Sequence, residues 1–181
     1  MKLRLLPVFM TMILSASVLF GGWFVYQTVA MEDPLLKDVS AIEGVTEATL
    51  ELTREQAIVN VKLSVDVDLK SSYRAIAEAS EDKIGSRELK VVVTGSDRAD
   101  EETLNQWWSN AMFDVAQAME TRQYSLIPLR LQELARKEGS ELEATASIDE
   151  ENVYVTLKHG GSRKDIILPR VSAMTGVWPN E

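Results

Sequence analysis

The 22 residues from Leu5 to Tyr26 carry no charge, and this run constrains the chain more than any other feature. As a helix the run is about 33 Å long, close to the ~30 Å hydrocarbon thickness of a bilayer. It is apolar on every side, so a domain of ordinary size has no room to bury it. Pro7 falls in the first turn, where its missing N–H costs little. Trp23, Phe24 and Tyr26 gather at the far end, as interfacial aromatic rings do. Lys2 and Arg4 lie before the run, and Glu32 and Asp33 follow it. The positive-inside rule then gives a cytoplasmic N-terminus over residues 1–4, a transmembrane helix over 5–30 and an extracytoplasmic remainder. A cleaved signal peptide is the competing reading, with Thr28-Val29-Ala30 as the cleavage site. The apolar run is longer than the ~7–15 residues of a signal core, which favours an anchor in the cell membrane.

Charge narrows the partners of the remainder. All 28 acidic residues follow the apolar run, against 17 of the 19 basic ones. A surface this negative repels phosphate backbones, so nucleic acid is not an expected partner. There is no Cys, which removes thiol nucleophiles, Cys-based metal sites and disulfides.

Residues 31–43 read as a linker, with a helical turn from Leu35 to Ile42. Residues 44–95 read as a first α+β module. Ala48, Leu50 and Leu52 alternate with polar residues, and so do Ala57, Val59, Val61, Leu63 and Val65, the period of strands with one buried face. Thr53-Arg54-Glu55-Gln56 between them predicts a hairpin loop. Asp68 suits an N-cap, and Leu69, Tyr73, Ile76, Ala77 and Ile84 share one helix face up to Gly85. A third strand is expected from Leu89 to Thr94. Residues 96–181 form a helix-rich segment and a second hairpin module. Leu104, Trp107, Trp108, Ala111, Met112, Val115, Ala118 and Met119 follow helical spacing. A helix from Leu129 to Lys137 comes next, then strands over Leu142–Ile148, Val153–His159 and Asp165–Leu168. The fold class is α+β: a transmembrane helix, then antiparallel hairpins packed against helices.

The two hairpins echo one another. EATLELTREQAIVNVKL (Glu47–Leu63) aligns without a gap on EATASIDEENVYVTLKH (Glu143–His159), with six of seventeen positions identical. About one identity is expected from average usage. Duplication and coincidence both remain open. On the two hairpins and the helix from Leu69 to Ile84, the element order resembles the ring-building-motif modules of membrane-anchored secretion rings and stage III sporulation engulfment-complex proteins. Those modules stand outside a single membrane span and pack side by side. The resemblance implies assembly and assigns no role to any residue; the Trp-bearing helix departs from it.

The catalytic inventory is thin. His159, the one imidazole, sits at a strand end beside Gly160-Gly161, with Ser140 or Ser162 as the conceivable nucleophile, and no nucleophile-elbow pattern accompanies it. Asp66 and Asp68, and the Asp149-Glu150-Glu151 run, lack calcium-loop spacing and suit a helix cap and a hairpin tip. No phosphate-binding loop is present. No catalytic residue, cofactor or metal is therefore expected. Trp107 and Trp108 stand about 100° apart on a helix, so core packing takes one more readily than both. One of these rings, or Phe113, is the candidate anchor for a protein partner. The sequence thus points to a non-enzymatic, membrane-anchored, extracytoplasmic protein-interaction module, in an envelope assembly or as a sensory or regulatory accessory. An exported hydrolase using a carboxylate pair or His159, and a secreted solute or metal binder, are the alternatives.

Overall fold

A computed structural model describes residues 5–27, 33–95, 101–138 and 141–170. Helix α1 (Leu5–Gln27) precedes two packed units. The first contains α2 (Asp33–Ser40), β1 (Val45–Leu52), β2 (Gln56–Leu63), α3 (Leu69–Glu81) and β3 (Glu88–Val93). The second contains α4 (Glu101–Glu120), α5 (Leu126–Glu138), β4 (Glu143–Ile148), β5 (Asn152–His159) and β6 (Ser162–Pro169). The α+β class is as expected from the alternating and helical periods.

In α1 the described side chains run over residues 9–22. Its large apolar groups face outward, from Phe9 at 61% exposure to Phe20 at 77%. Among the described residues no helix is long and apolar enough to cross a membrane. The stretch 9–22 accounts for only about 21 Å of helix. Lys2 and Arg4 lie outside the described residues, as do the side chains of Trp23, Phe24 and Tyr26.

The first unit corrects two expectations. Residues from Asp33 onward are not a linker, because α2 puts Leu35 and Val39 into the first core with Val59, Val61 and Ile76. Nor is the sheet wholly antiparallel. β1 pairs antiparallel with β2, but β3 runs parallel to β2, from Gln56↔Glu88 to Val61↔Val93. The cause is α3, which carries the chain back along the sheet as a crossover connection. Asp68 caps α3, its Oδ2 accepting from the Ser71 amide at 2.8 Å.

The second unit is antiparallel throughout, in the order β4-β5-β6. Gly160 and Gly161, at φ 55° and 83°, make the two-residue turn between β5 and β6. Both central residues need positive φ there, which glycine adopts without strain. The last strand is thereby longer than the four residues expected. α4 and α5 cover one face, where Leu104, Trp107, Ala111 and Val115 meet Ile127, Leu131, Val153, Val155 and Leu157. β5 is buried at every position from Asn152 to Leu157. Its other face packs against the first unit, where the Tyr154 ring lies 5.4 Å from that of Tyr73 on α3.

The hairpin echo has a geometric counterpart. Glu47↔Lys62 in the first hairpin becomes Glu143↔Lys158 in the second, and Leu52↔Ala57 becomes Ile148↔Val153. The tips match as well. Thr53 N donates to Gln56 O at 2.8 Å, and Asp149 N to Asn152 O at 3.0 Å. The third strand docks on both tips: Glu88 N donates to Glu55 O, and Arg170 N to Glu151 O. An arginine then closes each tip, Arg87 Nε on Thr53 O at 2.7 Å and Arg170 Nη1 on Asp149 O at 2.6 Å. The third strands run in opposite directions, so the correspondence ends beyond these tips.

Candidate interaction surface

The junction of the two units is polar and buried. Arg163 and Asp165 lie two residues apart on β6 and so share a face. Asp165 stands opposite Thr156 of β5, whose hydroxyl donates to Asp165 Oδ1 at 2.7 Å. Arg163 Nε donates to Asp165 Oδ2 at 2.6 Å, with the two side chains 3% and 2% exposed. Arg163 Nη1 continues into the loop between β2 and α3. There it donates to the carbonyls of Ser64 (2.8 Å), Val65 (3.2 Å) and Val67 (2.6 Å). One guanidinium thus bonds its own strand and the other unit together. A buried cation requires such a partner set, since an uncompensated one is strongly unfavourable. The loop reaches that position because Gly44, at φ 86°, packs directly against Val67, and its carbonyl accepts from Ser64 N at 2.8 Å.

The β4–β5 turn makes the second link. Asp149 Oδ1 accepts from the amides of Glu151 (3.0 Å) and Asn152 (2.8 Å), and Oδ2 from the Tyr154 hydroxyl at 2.7 Å. Burial alone would push this carboxyl up. Those three hydrogen bonds and the nearby Lys70 ammonium outweigh it and hold the group below its ordinary value. The Tyr154 phenol moves the other way, raised first by burial and then by the carboxylate it donates to. Burial likewise raises Tyr73, with Glu151 and Asp149 adding to it and a hydrogen bond with Asn152 opposing. Lys70 on α3 donates to Ile148 O at 2.7 Å, so α3 holds the turn from the first unit.

Between α3 and this turn lies an open cleft of about 740 Å³. Ala77, Ile84 and Leu89 form apolar parts of its lining, beside Tyr73. Glu78 and Glu81 line it from α3, and Glu150 and Glu151 from the turn. Its cations are Lys70 and Arg74. A smaller cleft of about 400 Å³ separates α5 from the edge strand β4, and one of about 240 Å³ lies on α4 and α5.

The sequence-predicted candidates are elsewhere. Trp107 is 5% exposed and part of the second core. Trp108 packs half-buried at its margin. Phe113 is 74% exposed beside Met112 at 43%, on the outer side of α4. None of the three lines the large cleft. His159 pairs across the turn with Ser162, and its Nε2 is 4.0 Å from Glu141 Oε2. Ser162 is wholly buried, so a substrate cannot reach its hydroxyl. Ser140 lies outside the described residues. Asp66 is exposed, and Asp68 serves as the helix cap. Among the described residues no group of three or more His, Cys, Asp or Glu is placed to hold a metal ion.

Sequence reasoning missed Arg163 and Tyr154, and placed Tyr73 on the inner face of its helix without its contact to Tyr154. The one available signal was an Arg-x-Asp pair inside a short strand, which puts opposite charges on one face. The Asp149 run reads from sequence as a solvated hairpin tip; it is a tip, but its first residue is an acceptor for three donors. No family model, no curated protein and no solved structure matches this chain.

Proposed function

We propose that the protein is a membrane-anchored, extracytoplasmic interaction module, held by an N-terminal transmembrane helix and acting through binding to another protein rather than by catalysis. One observation carries the reading. α1 is a 23-residue helix without a charge, and its described apolar side chains face outward all round, while both packed units have separate cores. An apolar surface of this kind needs lipid or protein to cover it. Taken over its full length the helix is about 34 Å, enough for a bilayer core. Lys2 and Arg4 before it support a cytoplasmic N-terminus, and with a single span that puts the remainder on the extracytoplasmic side.

Assembly is the second part of the proposal. The order helix–strand–strand–helix–strand over residues 33–93 is that of ring-building-motif modules, and the shared register of the two hairpins favours two related modules. Edge strands β1, β3, β4 and β6 are the elements that strand pairing would use.

The test is fractionation of the full chain with crosslinking in membranes. The intact chain is expected in the membrane fraction, released by detergent but not by high salt, with its C-terminal units digested only from the outer side. A crosslinked product with a second protein or a second copy is expected. Recovery of the unprocessed chain from the aqueous fraction, or protection of the C-terminus inside the cell, overturns the anchored reading; monomers alone overturn assembly.

A further inference from the structure

We infer that the cleft between α3 and the β4–β5 turn is the docking groove for a basic, amphipathic segment of a partner protein. The inference rests on the interaction reading above and names the surface and the chemistry of its occupant. Four features carry it. First, the cleft lies at the junction of two units, where binding sites concentrate, and its volume of about 740 Å³ suits a short peptide segment. Second, its lining joins apolar groups (Ala77, Ile84, Leu89) to a rim of carboxylates (Glu78, Glu81, Glu150, Glu151). An amphipathic segment meets both, with apolar side chains on the floor and cations at the rim. Third, the two basic groups present do not balance that rim. Lys70 is turned to the Ile148 carbonyl and lies near the Asp149 carboxylate, which leaves Arg74 against four glutamates. Fourth, the occupant is not a second copy offering its acidic surface, because residues beyond the apolar run carry 28 acids against 17 bases and repel their like.

The walls come from both units, and both are held. α3 is capped by Asp68 and joined to the turn by Lys70, and the turn is fixed by Asp149. A groove with fixed walls loses little freedom on binding, which favours affinity.

The probe is a fluorescent Leu–Lys amphipathic peptide, read by anisotropy on the full chain in neutral detergent, with empty micelles subtracted. A Leu–Glu peptide and an all-Lys peptide are the comparisons. The Leu–Lys peptide is expected to bind, and the other two to bind at least about tenfold more weakly. Glu78→Lys combined with Glu150→Lys is expected to weaken binding by at least about tenfold. Glu102→Lys combined with Glu120→Lys, exposed positions on α4 away from the cleft, is expected to leave it unchanged. Equal loss in the two pairs means diffuse attraction to an acidic surface and overturns the inference. Tight all-Lys binding overturns the apolar floor. If the cleft pair instead changes the sedimentation of the chain alone, the occupant is a second copy and the inference fails. A partner crosslinked elsewhere, with no peptide binding here, sinks this groove and leaves the interaction reading intact.

Discussion

Replacing Arg163 by Met tests whether the two units are one cooperative body. The Arg163–Asp165 pair is 2.6 Å long and nearly excluded from solvent, at 3% and 2% exposure. Its loss leaves Asp165 buried with the Thr156 hydroxyl as its remaining side-chain donor among the described residues, takes the guanidinium from three carbonyls, and leaves Ser64 O a long bond from Val67 N at 3.5 Å. Removing one partner of a buried pair costs about 3–5 kcal/mol. The carbonyl residues Ser64, Val65 and Val67 are only half-buried, so water replaces much of what Arg163 gave them, and the figure belongs near that range rather than above it. Such a loss is a large part of the ~5–15 kcal/mol that stabilises a domain. For a body of this size it corresponds to a Tm lower by roughly 6–20 °C.

Hydrogen exchange on the full chain separates the two consequences. In the parent protein, peptides from β2 and β5 are expected to open together. In Arg163→Met, the β2 peptide is expected to open at lower free energy than the β5 peptide, because the second core retains α4, α5 and β5. The double variant Arg163→Met with Asp165→Val removes the stranded carboxylate and is expected to regain most of the stability, but not the common opening. A cost below about 1 kcal/mol, the value of an exposed pair, with both peptides still opening together, would refute the tether argument.

Other perturbations follow from particular residues. Gly44→Ala puts a methyl group into Val67 Cγ1 at a φ of 86°, and is expected to cost about 1–3 kcal/mol in urea unfolding. Trp107→Ala is expected to cost about 3–5 kcal/mol, while Phe113→Ala, at 74% exposure, stays within about 0.5 kcal/mol and changes partner crosslinking if that ring is an anchor. Asp149 binds its proton less tightly folded than unfolded. Its stabilisation is therefore complete above the ordinary value of 3.8 and disappears as the pH falls through the lower folded value. Asp149→Ala, at a neutral-pH cost of about 1–3 kcal/mol, is expected to flatten that acid limb of the unfolding profile. Leu14→Arg adds roughly 2.5–3.5 kcal/mol to insertion of the helix and is expected to shift the chain out of the membrane fraction; unchanged fractionation would count against a spanning α1.

What the sequence made legible is what local periodicity encodes. The hairpins, α3 and α4 follow from periods of two and of three to four, and Asp68 and the Gly160-Gly161 turn mark their ends. Strand direction is not local. β3 runs parallel because α3 returns the chain to the same end of the sheet, whereas β6 follows a two-residue turn and must run antiparallel. The helical turn at Leu35–Ile42 is legible, but its place in the core is not, because the burial of Leu35 and Val39 depends on a sheet built later in the chain. The junction was hidden for a further reason. Arg163 falls before the strand expected at Asp165–Leu168 and reads as one more surface charge; its burial exists only once β6 extends back to Ser162 and the loop at residues 64–67 lies over it. The cleft joins residues 70–89 to residues 149–151, so no single stretch announces it.

The chemistry of the junction also bears on what the cleft can do. An apolar patch between two units tolerates many relative placements. A guanidinium that reaches three carbonyls and a carboxylate within 2.6–3.2 Å tolerates one, because hydrogen bonds weaken steeply with distance and angle. That placement, together with the Lys70 bond to Ile148 O and the Tyr73–Tyr154 ring contact, fixes the spacing of α3 and the β4–β5 turn, and with it the width of the groove. Arg163 does not line the groove, yet its loss is expected to widen it and weaken the Leu–Lys peptide. The carboxylates at the rim would still be in place, so their charge alone would not restore binding. A guanidinium remote from the ligand then governs affinity through the spacing of two walls, which is a different cause from the charge reversals at Glu78 and Glu150 and is separable from them by its effect on hydrogen exchange.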